Sequence, residues 1–244
     1  MIKLIKRLLT LIILLILAIA SVFVYQGYEL YKGAIAAVSI EEKITQIKKE
    51  NTNYIEFENL PKDYINAIVA IEDRRFFEHN GIDLISIIRA IIKDIQTMSL
   101  EEGGSTITQQ VAKNTYFTQK KELTRKVAEV FMAFEYEKAC TKEEILELYV
   151  NTIYFGDGYY CVYDAAQGYF DKDPKEMNLY ESTLLAGIPN APSVYAPTKN
   201  PELAKERQAQ VLNKMIKYDY LSQEDAEKIL TIEFKEIKKD EDKK

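Results

Sequence analysis

An uncharged, apolar stretch close to the N-terminus is the feature that most constrains this chain. It runs from Leu8 to Tyr28 and follows Lys3, Lys6 and Arg7. About 20 apolar residues are enough to cross a hydrocarbon core of roughly 30 Å as a helix. Cations before such a segment favour a cytoplasmic N-terminus, so the remainder of the chain is predicted to lie outside the cell membrane.

A cleaved signal peptide is the alternative interpretation of the same segment. The residues Ala18-Ile19-Ala20 resemble a small-residue cleavage site. The apolar run continues beyond that site through VFVY at 22–25, which favours a retained anchor. Export follows from either interpretation.

Composition excludes several classes of function. The net charge of −6 and the lack of a basic cluster beyond the N-terminus argue against nucleic acid as a partner. Cys140 and Cys161 are too few and too far apart for a disulfide scaffold or a zinc site, and they form either one disulfide or two unpaired thiols. The sequence has one histidine and carries no phosphate-loop lysine, dinucleotide fingerprint or acylating Ser-x-x-Lys motif. Carboxylates and cations remain, which suits chemistry on sugars and phosphates.

Apolar residues at helical spacing, with only nine glycines and six prolines, predict a mainly α fold. Pro61 suits the first turn of a helix that leads into Glu72. Further helices are predicted near 84–98, 122–138, 179–187, 201–217 and 223–230. Capping boxes are predicted at Thr106 with Gln109 and at Thr141 with Glu144. The glycine-punctuated stretch YFGDGYY (154–160) and the proline-rich PNAPSVYAP (189–197) are predicted loops.

The stretch EDRRFFEHNG (72–81) concentrates acids, arginines, phenylalanines and the single histidine. A carboxylate beside phenylalanines can lose solvation, which raises its pKa toward the range of a general base. Arg74 and Arg75 oppose that shift, so the direction for Glu72 stays open. His79 is interpreted as a structural hydrogen-bonding residue, with a catalytic role as the alternative.

A second concentration of charge follows Lys113 and ends at Glu129. Arg125 and Glu129 are four residues apart and share one helix face. For this run alone, a solvated helix with intrahelical ion pairs is the simpler interpretation. Between the two charged regions, EGGSTITQQ (102–110) brings hydroxyls, amides and free backbone N–H groups to a helix start, where a phosphate is attracted.

Taken together, EDRRFFEHNG, GGSTITQQVAKN, RKVAE and KEEILELYVN, in this order and spacing, closely resemble the peptidoglycan glycosyltransferases of glycosyltransferase family 51. The resemblance covers roughly residues 55–215 and continues through YFGDGYY, AAQGYF and NAPSVYAP. The absence of a penicillin-binding signature makes the chain similar to the monofunctional members. The implied fold is mainly α: a lysozyme-like helical lobe with a small membrane-proximal lobe, preceded by one transmembrane helix.

The resemblance also implies roles for individual residues. Glu72 matches the general base, and Glu129 matches the glutamate that assists the leaving diphosphate. Lys113 and Lys121 match positions that contact the diphosphate. The other matched substrate-binding positions are Arg125, Lys126, Ser105, Gln109, Gln110, Arg89 and Phe76.

The implied reaction is polymerisation of lipid II into glycan strands with inversion, forming β-1,4 linkages and releasing undecaprenyl diphosphate. The expected partners are lipid II, the growing strand, the bilayer and other cell-wall synthesis proteins. No cofactor is required by the sequence. A divalent cation, Mg²⁺ or Mn²⁺, at the substrate diphosphate remains open because no dedicated ligand set can be identified. A lysozyme-like hydrolase and an inactive scaffold of the wall-synthesis complex are the alternative functions.

The charge and hydropathy pattern, together with the resemblance, divides the chain into a cytoplasmic N-terminus (1–7), an anchor (8–28), a juxtamembrane stalk (29–54), a glycosyltransferase domain (55–232) and a charged tail (233–244). Two positions depart from the family pattern. Lys121 stands where arginine is common, which keeps the charge but loses the bidentate fork. Cys161 stands where glycine is expected after an aromatic residue, which puts the local backbone conformation in question.

Overall fold

The structure, a computed structural model, describes residues 2–97, 104–117 and 122–232. Within these ranges the chain is built from helices and contains no strand, which confirms the predicted mainly α fold. The helices are α1 (Ile2–Ala37), α2 (Ile40–Glu50), α3 (Lys62–Glu72), α4 (Leu84–Thr97), α5 (Ile107–Tyr116), α6 (Leu123–Ala139), α7 (Lys142–Thr152), α8 (Val162–Phe170), α9 (Leu179–Gly187), α10 (Pro192–Tyr195), α11 (Pro201–Lys217) and α12 (Gln223–Leu230).

Helix α1 is a continuous helix of 36 residues that contains the whole uncharged stretch. At 1.5 Å per residue it is about 54 Å long, which exceeds the thickness of a hydrocarbon core. Nearly all of its apolar side chains before Gln26 are exposed, and it is the one helix in the described part of the chain that is long and apolar enough to span a membrane. Helix α1 therefore has the length and composition of a membrane anchor.

The core is formed where α3 packs against α9 and α11, and where α5 packs against α6 and α7. Large tyrosine side chains fill it, and four of them are 0 or 1 % exposed: Tyr64, Tyr136, Tyr149 and Tyr169. Burial of such rings supplies much of the apolar area that stabilises a domain. This packing holds the C-terminal end of α3, and therefore Glu72, between α5 and α11.

The predicted helix starts are confirmed by their caps. Thr106 accepts a hydrogen bond from the backbone N–H of Gln109, and the Gln109 side chain accepts one from the backbone N–H of Thr106. Thr141 and Glu144 form the same reciprocal pair before α7. Pro61 occupies the N-cap position of α3, one residue earlier than a first-turn position. These caps satisfy backbone donors that a helix leaves unpaired at its start.

The segment predicted as a stalk is folded against the domain. Ile40 is 3 % exposed, and Ile44 and Ile47 of α2 pack against the core cluster. The α2 helix begins at a capping box formed by Ser39 and Glu42. The apolar spacing of these isoleucines, which the sequence shows only weakly, therefore serves a packing role.

The predicted loop at 189–197 is wrong in part. A 3₁₀ turn at Ile188–Asn190 and α10 at Pro192–Tyr195 occupy most of it. Pro189 is the second residue of the 3₁₀ turn and Pro192 the first residue of α10, and the φ of proline suits such helical starts. The stretch 154–160, in contrast, is a loop as predicted, and Gly156, Asp157 and Gly158 all have positive φ there.

The backbone conformation at Cys161 shows why a cysteine is tolerated where the family pattern has glycine. It is the N-cap of α8 with φ −144°, an extended conformation that any residue adopts. Its sulfur accepts a weak contact from the Asp164 N–H at 3.5 Å. Cys161 is buried, Cys140 is half-buried, and both thiols are unpaired. Of the two open alternatives for the cysteines, the structure shows free thiols.

Candidate active site

Glu72 is the last residue of α3 and faces a cleft of about 700 Å³. Its side chain is 11 % exposed. The Gln110 Nε2 donates to one carboxylate oxygen at 2.7 Å, and the Arg207 guanidinium lies 3.9 Å from the other. The helix end thus presents one carboxylate, held from two sides, to the cleft.

Burial raises the pKa of Glu72 above its ordinary value. The hydrogen bond from Gln110 and the positive charges of Arg207 and Lys113 oppose this shift but do not cancel it. The two arginines next in sequence act elsewhere: Arg75 lies 3.4 Å from carboxylate oxygens of Glu78 and of Asp83, and Arg74 lies over the Tyr218 ring. A raised pKa suits a base that must accept a proton.

The second carboxylate, Glu129, lies on α6 and is 2 % exposed. Arg125 pairs with one of its oxygens, and Lys126 Nζ lies 3.0 Å from the other. The intrahelical pairs expected for a solvated helix are therefore present, but their acid is buried. A buried carboxylate needs such partners, because an unpaired buried charge is costly.

Lys113 and Ser105 join the two carboxylate regions. Lys126 Nζ donates to Ser105 Oγ at 2.6 Å, and Ser105 lines the cleft that Glu72 faces. Burial lowers the pKa of Lys113, while the charge of Glu129 opposes the shift and the charges of Arg125 and Lys126 add to it. The charges of Lys113 and Glu72 also affect each other's pKa. Lys113 therefore interacts electrostatically with both carboxylate regions of the site.

The cleft brings together five of the residues predicted from the sequence. They are Glu72, Arg89, Ser105, Gln110 and Lys113. Arg125, Lys126 and Glu129 are connected to this group through the bond between Lys126 and Ser105. Lys121 lies outside the residues that the structure describes.

Two predicted substrate-binding residues do not face the cleft. Phe76 is 0 % exposed and packs edge-on against Phe77, with the Lys142 ammonium 4.6 Å from its ring centre. Gln109 is 2 % exposed, and its amide oxygen is used by the α5 cap. In the structure the Phe76 ring is used for packing and the Gln109 amide for capping, and a substrate contact of either residue stays a prediction.

His79 has a structural setting. It is 7 % exposed, and its Nε2 lies 2.9 and 3.0 Å from the two Asp73 carboxylate oxygens. Asp73 also accepts the Ile107 N–H at 3.1 Å. This arrangement ties the turn after Glu72 to the start of α5, in line with the structural interpretation of the histidine.

Sequence reasoning missed the residues that α10 and α11 bring to the cleft. Arg207, Lys214 and Tyr195 line it together with Asn190. Arg207 also donates to the Gly187 carbonyl at 3.3 Å, which fixes the guanidinium beside Glu72. No local pattern marks these side chains, because the packing of α11 on α3 brings them there.

The residues around the second carboxylate do not fit a resident metal ion. Both oxygens of Glu129 are engaged by cationic side chains, which repel a divalent cation. In the described ranges, no group of three or more His, Cys, Asp or Glu side chains could hold one.

A family model described as Transglycosylase matches residues 40–216 of this chain. A Cupriavidus necator protein whose name describes it as a candidate transglycosylase is 43% identical over 71% of this chain and 75% of its own length. Penicillin-binding protein 1F of Bacillus subtilis is 40% identical over 76% of this chain, and penicillin-binding protein 1A of Neisseria lactamica is 42% identical over 76%. The chain belongs to the transglycosylase family.

The matched lengths differ among these relatives. The chain spans 26% of the Bacillus protein and 23% of the Neisseria protein, so only a part of each is comparable. A crystal structure of penicillin-binding protein 1A from Haemophilus influenzae aligns with 52% of this chain and 16% of its own, at 30% identity and a TM-score of 0.37. At that score the fold assignment rests on the helices described above.

Proposed function

We propose that this protein is a peptidoglycan glycosyltransferase that polymerises lipid II into glycan strands. Family membership supports the general reaction class. The observation that carries the proposal is a pair of carboxylates on separate helices, Glu72 at the cleft and the buried Glu129, with Lys113 interacting electrostatically with both. A glycosyl transfer has an attacking end, where a hydroxyl loses its proton to a base, and a leaving end, where a diphosphate gains negative charge. Each end needs a separate protein group.

Glu72 is assigned to the attacking end. Its carboxylate accepts the proton of the acceptor sugar's 4-hydroxyl as that oxygen bonds to the donor's anomeric carbon. The raised pKa favours this proton transfer, and the Gln110 amide holds the carboxylate in place. Attack opposite the leaving group inverts an α-linked donor into a β-1,4 linkage.

The leaving end is assigned to the cationic group beside Glu129. The bond between the anomeric carbon and the diphosphate oxygen breaks, and the electron pair stays on the undecaprenyl diphosphate. Lys113, Arg125 and Lys126 place positive charge where this negative charge develops, which is the most effective use of a fixed charge. Glu129 orients its two partners, and Lys121 is proposed to add a further contact. A divalent cation carried by the diphosphate itself is compatible with this scheme.

The anchor suits a lipid-linked substrate. A cytoplasmic N-terminus, as the three cations before the apolar stretch favour, places the cleft on the outer side of the cell membrane. In this topology the cleft and the diphosphate of lipid II share one membrane surface. Other cell-wall synthesis proteins are the expected partners there.

The test is polymerisation of purified lipid II by the detergent-solubilised full chain. We expect polymer from the wild type and a loss of at least about 10²-fold for Glu72→Gln, because removal of a general base costs about 10² to 10⁴. Glu78→Gln is the matched control, since Glu78 is an exposed acid of the same stretch whose only described partner is Arg75. Shortening of finished strands without polymer would favour the hydrolase, and no reaction from folded protein would favour the scaffold.

A further inference from the structure

Helix α1 does not end where its apolar stretch ends. It continues without a break to Ala37, and its part from Gln26 onward packs along α6, the helix that carries Glu129. The two helices run in the same direction through the contact. A continuous, packed helix therefore links the membrane anchor to one wall of the active site.

Hydrogen bonds close the contact at each end. At the N-terminal end, Thr124 Oγ1 donates to Gln26 Oε1 at 3.3 Å. At the C-terminal end, the Tyr31 hydroxyl donates to Glu135 Oε1 at 3.0 Å. Two separated hydrogen bonds thus hold α1 and α6 at a defined angle to each other.

Aromatic packing fills the space between these bonds. The Phe131 ring of α6 stacks on Tyr31 with centroids 5.7 Å apart and meets Tyr28 edge-on at 5.3 Å. Such pairs contribute about 0.5 to 1.5 kcal/mol each beyond the area that they bury. The contact is therefore a packed interface.

Gly27 sets how closely the helices approach. A Cβ atom at this position would lie 2.5 Å from Val127 Cβ and 2.8 Å from the backbone oxygen of Thr124. Neither atom is the far end of a flexible side chain, so any larger residue must push α1 away from α6. Gly33, in the same helix, has no atom within 4 Å of its Cβ position.

We propose that Gly27 is a positioning residue: its close contact with α6 fixes the active site at one height and angle above the bilayer. Val127, the residue that Gly27 touches, lies between Lys126 and Glu129 on α6. A lipid-linked diphosphate is confined to the membrane surface, so the cations must be presented at that level. A misplacement of about 1 Å can cost about 10²-fold in rate. This proposal rests on the proposed function.

The experiment compares Gly27→Leu with Gly33→Leu in the full chain, reconstituted in phospholipid vesicles. Each variant is assayed with lipid II and with a short-chain, water-soluble analogue of lipid II, which the bilayer does not hold. We expect the ratio of kcat/KM for lipid II to kcat/KM for the analogue to fall about tenfold or more in Gly27→Leu. The ratio in Gly33→Leu should equal that of the wild type. An unchanged ratio in Gly27→Leu would overturn the proposal, whether both activities fall or neither does.

Hydrogen exchange of residues 29–37 gives a readout that needs no activity. Displacement from α6 should speed exchange there in Gly27→Leu, because the packed neighbour is lost, whereas Gly33→Leu should leave it unchanged. Equal exchange in the two variants would contradict the packing role of Gly27. If the wild type turned over neither substrate, the proposed function would fail, and with it the positioning role.

Discussion

Glu72 carries a conflict between stability and function at the scale of a single residue. Burial makes its ionised form costly, yet the proposed reaction requires that form. The neighbouring Gln110 and Arg207 stabilise the charge only in part. Such a residue is expected to lower stability at the pH where the enzyme works, as functional sites often do.

The first prediction concerns the stability of Glu72→Gln. A carboxyl with a raised folded pKa contributes fully below its unfolded pKa, and its contribution is lost as the pH rises toward the folded pKa. Since glutamine cannot ionise, the free energy of unfolding of the variant should exceed that of the wild type near pH 7 and equal it near pH 4. Thermal unfolding at both pH values measures this, and a lower Tm at pH 7 would contradict it.

The second prediction concerns Gln110→Met, which removes the donor to Glu72 at nearly constant volume. Because that hydrogen bond favours the ionised carboxylate, its loss should raise the pKa of Glu72 further. The acidic limb of the profile of kcat/KM against pH should therefore move up by about one pH unit, the equivalent of a charge-assisted hydrogen bond. Gln223→Met on the exposed face of α12 is the control, and an unmoved limb would speak against Glu72 as the base.

At the scale of the elements, the start of α5 connects several parts of the site. Thr106 caps the helix and also donates from its hydroxyl to the Gly81 carbonyl at 2.6 Å. Gln110 and Lys113, which follow on α5, face the cleft. The cap therefore holds the turn that follows Glu72 against the helix that binds its carboxylate.

A comparison of two capping boxes tests this connection. Thr141→Ala removes an exposed cap and should cost about 1 kcal/mol of unfolding free energy. Thr106→Ala should cost about 2 to 3 kcal/mol, because it also leaves the Gly81 carbonyl unpaired in a buried position. Denaturant unfolding gives both values. Equal costs would show that the contact with Gly81 adds nothing.

The sequence predicts the helices well, but it predicts less well which side chains meet when these helices pack. Helices α9, α11 and α12 were predicted with the bounds that the structure shows, since apolar spacing and proline starts are local signals. Arg207 was missed because its place beside Glu72 depends on the packing of α11 on α3. The burial of Phe76 was missed because a sequence does not show which side of a turn faces the core.

The candidate site, too, could be predicted from the sequence only in part. The pairing of Arg125 and Lys126 with Glu129 follows from helix geometry and could be predicted. The burial of Glu129, which turns these ion pairs from a surface feature into part of a site, depends on the packing of α6 against α5 and α1. The order of the charged residues in the sequence does not show whether they are buried.

At the scale of the whole molecule, the anchor, α6 and the cleft form one continuous structure. α1 packs on α6, α6 packs on α5, and α5 packs against the residues that follow Glu72. An enzyme that draws a lipid-linked donor from the bilayer gains from this continuity, because donor and cations stay at a common level. The proposed polymerase function accounts for this architecture.

The most direct test of the account counts the bonds made and broken in one reaction. Full-length protein is given lipid II, and the released undecaprenyl diphosphate is measured against new glycosidic linkages, whose anomeric configuration is read by NMR. The account predicts one diphosphate for each new linkage and β linkages throughout. New reducing ends from finished strands, without diphosphate release, would contradict it.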